Sequence, residues 1–251
     1  MKCILLAAGY ATRLYPLTKS RPKSLLLVGG KTILEHILEK VEKVESIDCI
    51  YIVSNGKFYP QFVQWVEKYN SSKVIKVLND HSTSNENRLG AIGDIKFAID
   101  KENIEDDILV MAGDNLFDFD LRGFEAYYRK VGHDCITVHE LNNKEELKKT
   151  GVVELDENCR VISFEEKPRE PKTNLAVPPF YIYQKSTLPL FSRYLSEGNN
   201  PDAPGNFIPW LIKHKDVYAF KFKGRRYDIG TPESYEKVQK LFETNQNSNF
   251  L

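Results

Sequence analysis

The chain lacks a long hydrophobic run, a cysteine pair at short spacing, a histidine motif and an excess of either charge. No apolar run approaches the roughly 20 residues that a bilayer-spanning helix needs, so no membrane partner is expected. The N-terminal residues open directly on a strand-like segment and lack the charged, apolar and small-residue zones of a secretory leader. Cys3, Cys49, Cys135 and Cys159 are scattered. That spacing argues against a zinc or dithiol motif and suits free thiols, so a cytoplasmic protein is expected. Lysine plus arginine and aspartate plus glutamate number 35 each, for a formal net charge of zero. A neutral chain has no long-range pull on nucleic acid, which is not expected as a partner. Positive charge, if used, must be concentrated locally. No internal repeat is visible, and 251 residues allow one large α/β domain or two small ones.

Two phosphate-binding motifs are also missing. The P-loop pattern Gly-x4-Gly-Lys-Ser/Thr does not occur. A dinucleotide fingerprint fails because Arg13 and Pro16 stand where its helix should run. What is present instead is an apolar run over residues 3–8, read as a strand buried on both faces, followed at once by small residues: Ala7, Ala8, Gly9, Ala11 and Thr12. Bare backbone N–H groups in such a turn form an anion-binding concavity, and Arg13 and Lys23 add fixed positive charge. The loop reads as a phosphate grip. The plain alternative is an ordinary turn with two surface cations.

Strands and helices then alternate. Thr32 caps a helix with apolar residues at Ile33, Leu34, Ile37, Leu38, Val41 and Val44, and Glu35 near its start suits the helix dipole. Strands are expected over 49–53, 74–78, 108–112 and 134–140, and helices over 58–69, from about 89 to 99, and 121–131. A ligand near Gly90 would meet the N–H groups of a helix start. Residues 142–149 are strongly charged and read as a solvated face without chemistry. Residues 151–155 and 161–165 form a hairpin, 171–179 an irregular linker and 180–183 a strand. A turn-rich loop (199–205), a short helix (207–213), a strand (217–222) and a helix from Glu233, capped at Thr231 with Pro232 following, complete the chain. The expected fold is α/β: an open, mostly parallel, Rossmann-like sheet with helices on both faces and a small β-rich insertion. One domain in two halves, 1–133 and 134–251, is expected. Asp114, just past the fourth of these strands in Gly113-Asp114-Asn115, lies where open α/β sheets place ligand chemistry.

Residues 6–28 resemble the signature of sugar-1-phosphate nucleotidylyltransferases, L-A-G-G-x-G-T-R-L-x-P-x-T…P-K-x-L, closest in type to glucose-1-phosphate thymidylyltransferases. Three later segments continue the similarity: Glu165-Glu166-Lys167-Pro168, an Asn174…Tyr181 segment, and Arg226-Tyr227-Asp228-Ile229-Gly230-Thr231-Pro232, which is similar to W-x-D-x-G-T-P. Ala11 replaces the second loop glycine, and since alanine resists positive φ the loop is expected to be reshaped there. The resemblance implies a GT-A type nucleotidyltransferase fold and transfer of a nucleotidyl group from a nucleoside triphosphate, best guess dTTP or UTP, to a sugar-1-phosphate, best guess glucose-1-phosphate. It implies that Ala8, Gly9 and Thr12 hold the triphosphate, with Arg13 and Lys23 stabilising charge, and that Asn85, Leu89 and Gly90 meet the base. It puts Asn115, Gly151, Glu166, Lys167, Val177 and Tyr181 around the sugar phosphate. Asp114 and Asp228 would hold Mg²⁺. No hexapeptide β-helix pattern is present in the sequence, so a bifunctional acetyltransferase is not expected. A cytidylyltransferase acting on a sugar- or choline-phosphate stays open. So do a GT-A glycosyltransferase using Asp118-Phe119-Asp120 as its Asp-x-Asp, and a non-catalytic nucleotide-sugar sensor. Base, sugar and oligomeric state, including a homo-oligomer, are not legible in the chain.

Overall fold

The computed structural model describes residues 1–227 and 229–248. In chain order the elements are β1 (Lys2–Leu6), β2 (Leu27–Val28), β3 (Lys31–Thr32), α1 (Ile33–Val41), β4 (Cys49–Ser54), α2 (Tyr59–Val66), β5 (Val74–Asn79), α3 (Ala91–Lys101), β6 (Ile108–Ala112) and β7 (Leu116–Phe117). There follow α4 (Leu121–Val131), β8 (Asp134–Glu140), α5 (Lys144–Leu147), β9 (Gly151–Leu155), β10 (Val161–Glu166), β11 (Leu175–Val177), β12 (Phe180–Tyr183), α6 (Leu188–Ser196), α7 (Phe207–Leu211), β13 (Val217–Lys221), β14 (Arg226–Tyr227) and α8 (Pro232–Ser248).

Ten strands form one sheet in the order β10-β9-β11-β8-β12-β6-β1-β4-β5, with β13 parallel to β8. The β6-β1-β4-β5 section is parallel throughout, as the strand–helix alternation requires. β12 enters antiparallel between β6 and β8, and the β9–β10 hairpin with β11 extends the same sheet. Both faces are covered because the central strands are apolar at nearly every position, Lys2 at the start of β1 and Ser54 at the end of β4 excepted. Cys3 and Leu5 of β1 point into one core and Ile4 into the other, and β4 and β6 alternate in the same way. One core is closed by α1, α4 and the start of α8, the other by α3, α6 and α7.

The charged run at 142–149 contains the one-turn helix α5, capped by Asn143 and exposed except at Leu147, in keeping with a solvated helix face. Two differences from the sequence expectations have simple causes. The supposed linker at 171–179 contains β11, which three residues suffice to make because β8 and β9 supply edges for it. Helix α6 has no counterpart among the expectations. Its Leu188, Phe191 and Tyr194 complete the second core.

Helix α1 begins with a reciprocal cap: Thr32 Oγ1 accepts from Glu35 N at 3.1 Å while Glu35 accepts from Thr32 N at 3.4 Å. Replacing Thr32 with Ala is expected to destabilise the fold by about 1 kcal/mol, read as a lowered urea midpoint with an unchanged slope.

Candidate active site

The turns after β1, β4 and β6 meet at the carboxyl edge of the parallel strands. Ala7 N donates to Val53 O at 2.9 Å, Gly113 N to Leu6 O at 2.9 Å, and the buried Asn55 side chain to Ala8 O at 2.8 Å. These bonds fix the 7–13 loop against its neighbours. A Cβ built on Gly9 would meet nothing within 4 Å, so the loop opens onto free space. Ala11 adopts φ 46°, ψ 43°, and its carbonyl accepts from Leu14 N at 3.0 Å and Thr18 Oγ1 at 2.8 Å. The expected reshaping does not occur: these bonds hold alanine in the left-handed region that glycine would occupy without strain.

Two chambers adjoin at this edge. The first, of about 430 Å³, is lined by Ala8, Gly9, Thr12, Arg13, Lys23, Asn85, Gly90 and Asp114, all expected from the sequence, and also by Arg88, Asp94 and Asp202. The second, of about 310 Å³, is lined by Gly151, Glu166, Lys167, Val177 and Tyr181, and also by Lys149, Arg226 and Gly205. Asp114, Pro179, Asp202 and Pro204 belong to both walls. At the junction Lys23 Nζ, only 10% exposed, donates to Asp114 Oδ2 at 2.9 Å.

Two expected residues stand outside both walls. Asn115 is buried and donates from Nδ2 to Asp114 Oδ1 at 3.1 Å, so it props the aspartate and does not face a ligand. Leu89, expected to meet the base through its backbone, borders neither chamber. The free helix start expected at Gly90 is also corrected. Ile92 N donates to Pro201 O at 2.9 Å and Ala91 N reaches Asp202 O at 3.4 Å, because the 199–205 loop folds over the N-terminus of α3. Gly90, at φ 79°, permits this approach, since a Cβ there would lie 2.7 Å from Pro201 O. Arg88 ties the two segments together, donating to Asn85 Oδ1 at 2.6 Å and to Asp202 Oδ2 at 3.0 Å. Asp228 lies outside the described residues.

The second chamber is cationic on one side. Lys149, Lys167 and Arg226 reach its wall. Residues 142–149 thus carry a wall residue, which contradicts their reading as chemically idle. A charged run gives no sign of which of its members turns inward. Lys167 sits at φ 50°, held by its N–H to Thr150 O at 3.1 Å, while Thr150 Oγ1 donates to Val177 O at 3.0 Å. Left-handed backbone at a non-glycine residue is strained and clusters at ligand sites. Burial pushes the Glu166 carboxyl above the usual range, and Lys167 and Arg226 pull it back. Among the described residues the Arg226 guanidinium has no hydrogen-bond or ion-pair partner. Its signal in the sequence was a basic residue inside the 226–232 motif.

The Asp-x-Asp alternative has no site. Asp118 Oδ1 accepts from Arg225 N at 2.6 Å, and Asp120 caps α4 and pairs with Arg122 at 2.7 Å. Both carboxylates are engaged in local structure and neither reaches either chamber wall.

The chain belongs to the Nucleotidyl transferase family, whose model matches residues 2–245. It is 32% identical over 234 residues to the bifunctional protein GlmU of Methanocaldococcus jannaschii, covering 92% of this chain and 52% of that protein. It is 24% identical over 241 residues to the UTP–glucose-1-phosphate uridylyltransferase AglF of Haloferax volcanii, covering 95% of each. A solved UDP-glucose pyrophosphorylase complexed with UDP-glucose superposes with a TM-score of 0.81 at 21% identity, over 97% of this chain and 98% of that one. The chain spans about half the length of the GlmU relatives it matches. Among the described residues no helix is long and apolar enough to cross a membrane.

Relief of the left-handed strain makes a direct test of the loop. Ala11→Gly is expected to raise stability by about 1 kcal/mol, since alanine in that region costs roughly 1–2 kcal/mol and glycine returns part of it as chain entropy. The urea midpoint reports the gain.

Proposed function

We propose that the chain joins a sugar-1-phosphate to a nucleoside triphosphate, releasing pyrophosphate. The observation that carries this reading is the pair of chambers sharing Asp114, with Lys23 bound to it at their junction and cations on both sides. Two polyanions must meet in such a reaction. Each pair of unit charges about 4 Å apart costs about 4 kcal/mol at an effective dielectric of about 20. Screening and alignment therefore dominate the catalysis.

The triphosphate lies along the 8–13 loop with Arg13 and Lys23 on its oxygens. The acceptor phosphate, held by Lys167 and Arg226, attacks the α-phosphorus in line as the α–β bridging bond breaks and its electron pair leaves on pyrophosphate. The attacking oxygen is already ionised, so no general base is required. Glu166 accepts from sugar hydroxyls. Asp114 is a hard oxygen donor at the junction and suits Mg²⁺, which is commonly held by one or two carboxylates plus substrate oxygens. Asp114, with Asp228 as the second ligand expected from the motif, would hold it, and the ion would supply Lewis-acid stabilisation of phosphoryl charge.

UTP or dTTP with glucose-1-phosphate is the preferred pair, supported by the names of the matched uridylyltransferase and pyrophosphorylase. The reaction places the enzyme in nucleotide-sugar synthesis.

A panel of four nucleoside triphosphates against glucose-, N-acetylglucosamine- and mannose-1-phosphate, scored by pyrophosphate release, tests the assignment. Absence of release with every pair would leave a binding protein instead. Asp114→Asn is expected to lower kcat at least about a hundredfold and, by leaving the buried Lys23 without its counter-charge, to lower the unfolding midpoint as well. Arg226→Gln is expected to raise KM for the sugar phosphate about 10–100-fold, the size of one charge-assisted hydrogen bond, and to leave KM for the triphosphate within about twofold.

A further inference from the structure

Asp94, in the first turn of α3, lines the nucleotide chamber yet is only 5% exposed, and its Oδ1 has no hydrogen-bond partner among the described residues. A buried carboxylate oxygen without a donor is costly and calls for an explanation. The group within hydrogen-bonding reach is another carboxyl, Asp80, itself only 6% exposed. Two ionised carboxylates would repel at that range. One proton between them turns the clash into a hydrogen bond and satisfies the orphan oxygen.

Asp80 is also the organiser of the loop after β5. Its Oδ1 accepts from Ser82 N at 2.7 Å and from Ser82 Oγ at 2.8 Å. Ser82 O in turn accepts from Gly56 N at 2.8 Å and from Tyr10 Oη at 3.2 Å. The next residues of that loop, Asn85 and Arg88, reach the chamber wall.

We propose that Asp94 and Asp80 share one proton and thereby act as positioning residues for nucleotide binding, tying the first turn of α3 to the 80–88 loop that carries Asn85 and Arg88. What the loop serves rests on the nucleotidyl-transfer reading, whereas the shared proton does not depend on it. Burial, then the charge of Asp80, push the Asp94 carboxyl from its ordinary 3.8 up to about 8. The folded chain therefore keeps a proton that the unfolded chain releases near pH 4. The stability this proton supplies declines as pH rises from about 4 to about 8. Other charges on the chamber are otherwise engaged: Lys23 with Asp114, Arg88 with Asp202, and Arg13 with solvent. Tyr10 adds a phenol whose ionisation burial pushes upward.

The test compares the full chain with Asp94→Asn, which keeps a neutral donor and acceptor at every pH. Native-state cleavage by trypsin after Arg88 reads the loop without substrate. The wild-type to variant ratio of cleavage rates, in which the pH dependence of trypsin cancels, is expected to rise about tenfold from pH 7 to pH 9.5. A flat ratio overturns the shared proton. Asp80→Asn serves as the second reference and gives the same rise, so the test survives misfolding of either variant. In parallel, KM for the triphosphate preferred in the panel is expected to climb over the same range in the wild type and to stay level in Asp94→Asn. A cleavage ratio that rises while the wild-type KM stays level overturns the positioning role. If no triphosphate is turned over, the proposed reaction fails while the cleavage ratio still decides the acid pair.

Discussion

The contact between Lys23 and Asp114 is the constraint around which the site is built. A lysine that is nine-tenths buried needs a counter-charge, because desolvation of an isolated ammonium exceeds what packing returns. Asp114 supplies it from the turn after β6, across 91 residues of chain. That pairing requires the 7–13 loop, the segment carrying Lys23 and the end of β6 to converge on one edge of the sheet. The parallel register of β1 with β4 and β6 delivers that convergence. A chain with no net charge thus brings cations together in one place: Lys23 is offset by Asp114 and Arg88 by Asp202, while Arg13 and Arg226 have no ion-pair partner among the described residues.

The scaffold behind the edge owes its rigidity to largely apolar strands, which bury alternate residues in separate cores. The second half of the chain contributes more than a sheet extension. Its 199–205 loop caps α3 through Pro201 and walls both chambers through Asp202 and Pro204. The two halves named from the sequence are therefore physically interlocked at the site.

How much was legible in the sequence followed the range of the interactions involved. Helix α4 and strand β8 have the boundaries that periodicity assigns, because amphipathic spacing and the turn at Gly132 are local signals. The 7–13 loop, Asp114 and the Glu166-Lys167 pair could be singled out as wall residues because their residue types stand in a long, specific pattern. Ala11 misled because local preference favours a changed loop, whereas the bonds from Leu14 and Thr18 impose the conformation. β11 is invisible as a three-residue strand until its partners are placed. Arg226, Lys149 and Asp202 are ordinary charged residues in sequence and acquire a role only when distant segments meet. Nothing in the sequence marks Asp94 apart from other acidic residues, and its burial against Asp80 appears only in three dimensions.

The double-facing wall at Asp202 and Pro204 has an evolutionary corollary. A backbone shift there, whether from an insertion or from a bulkier neighbour, alters the shape of both chambers at once. Descendants of this chain are thus not free to exchange one preference while conserving the other by changing that loop. Independent retuning has to come from residues that border a single chamber, Arg88 on one side and Arg226 on the other.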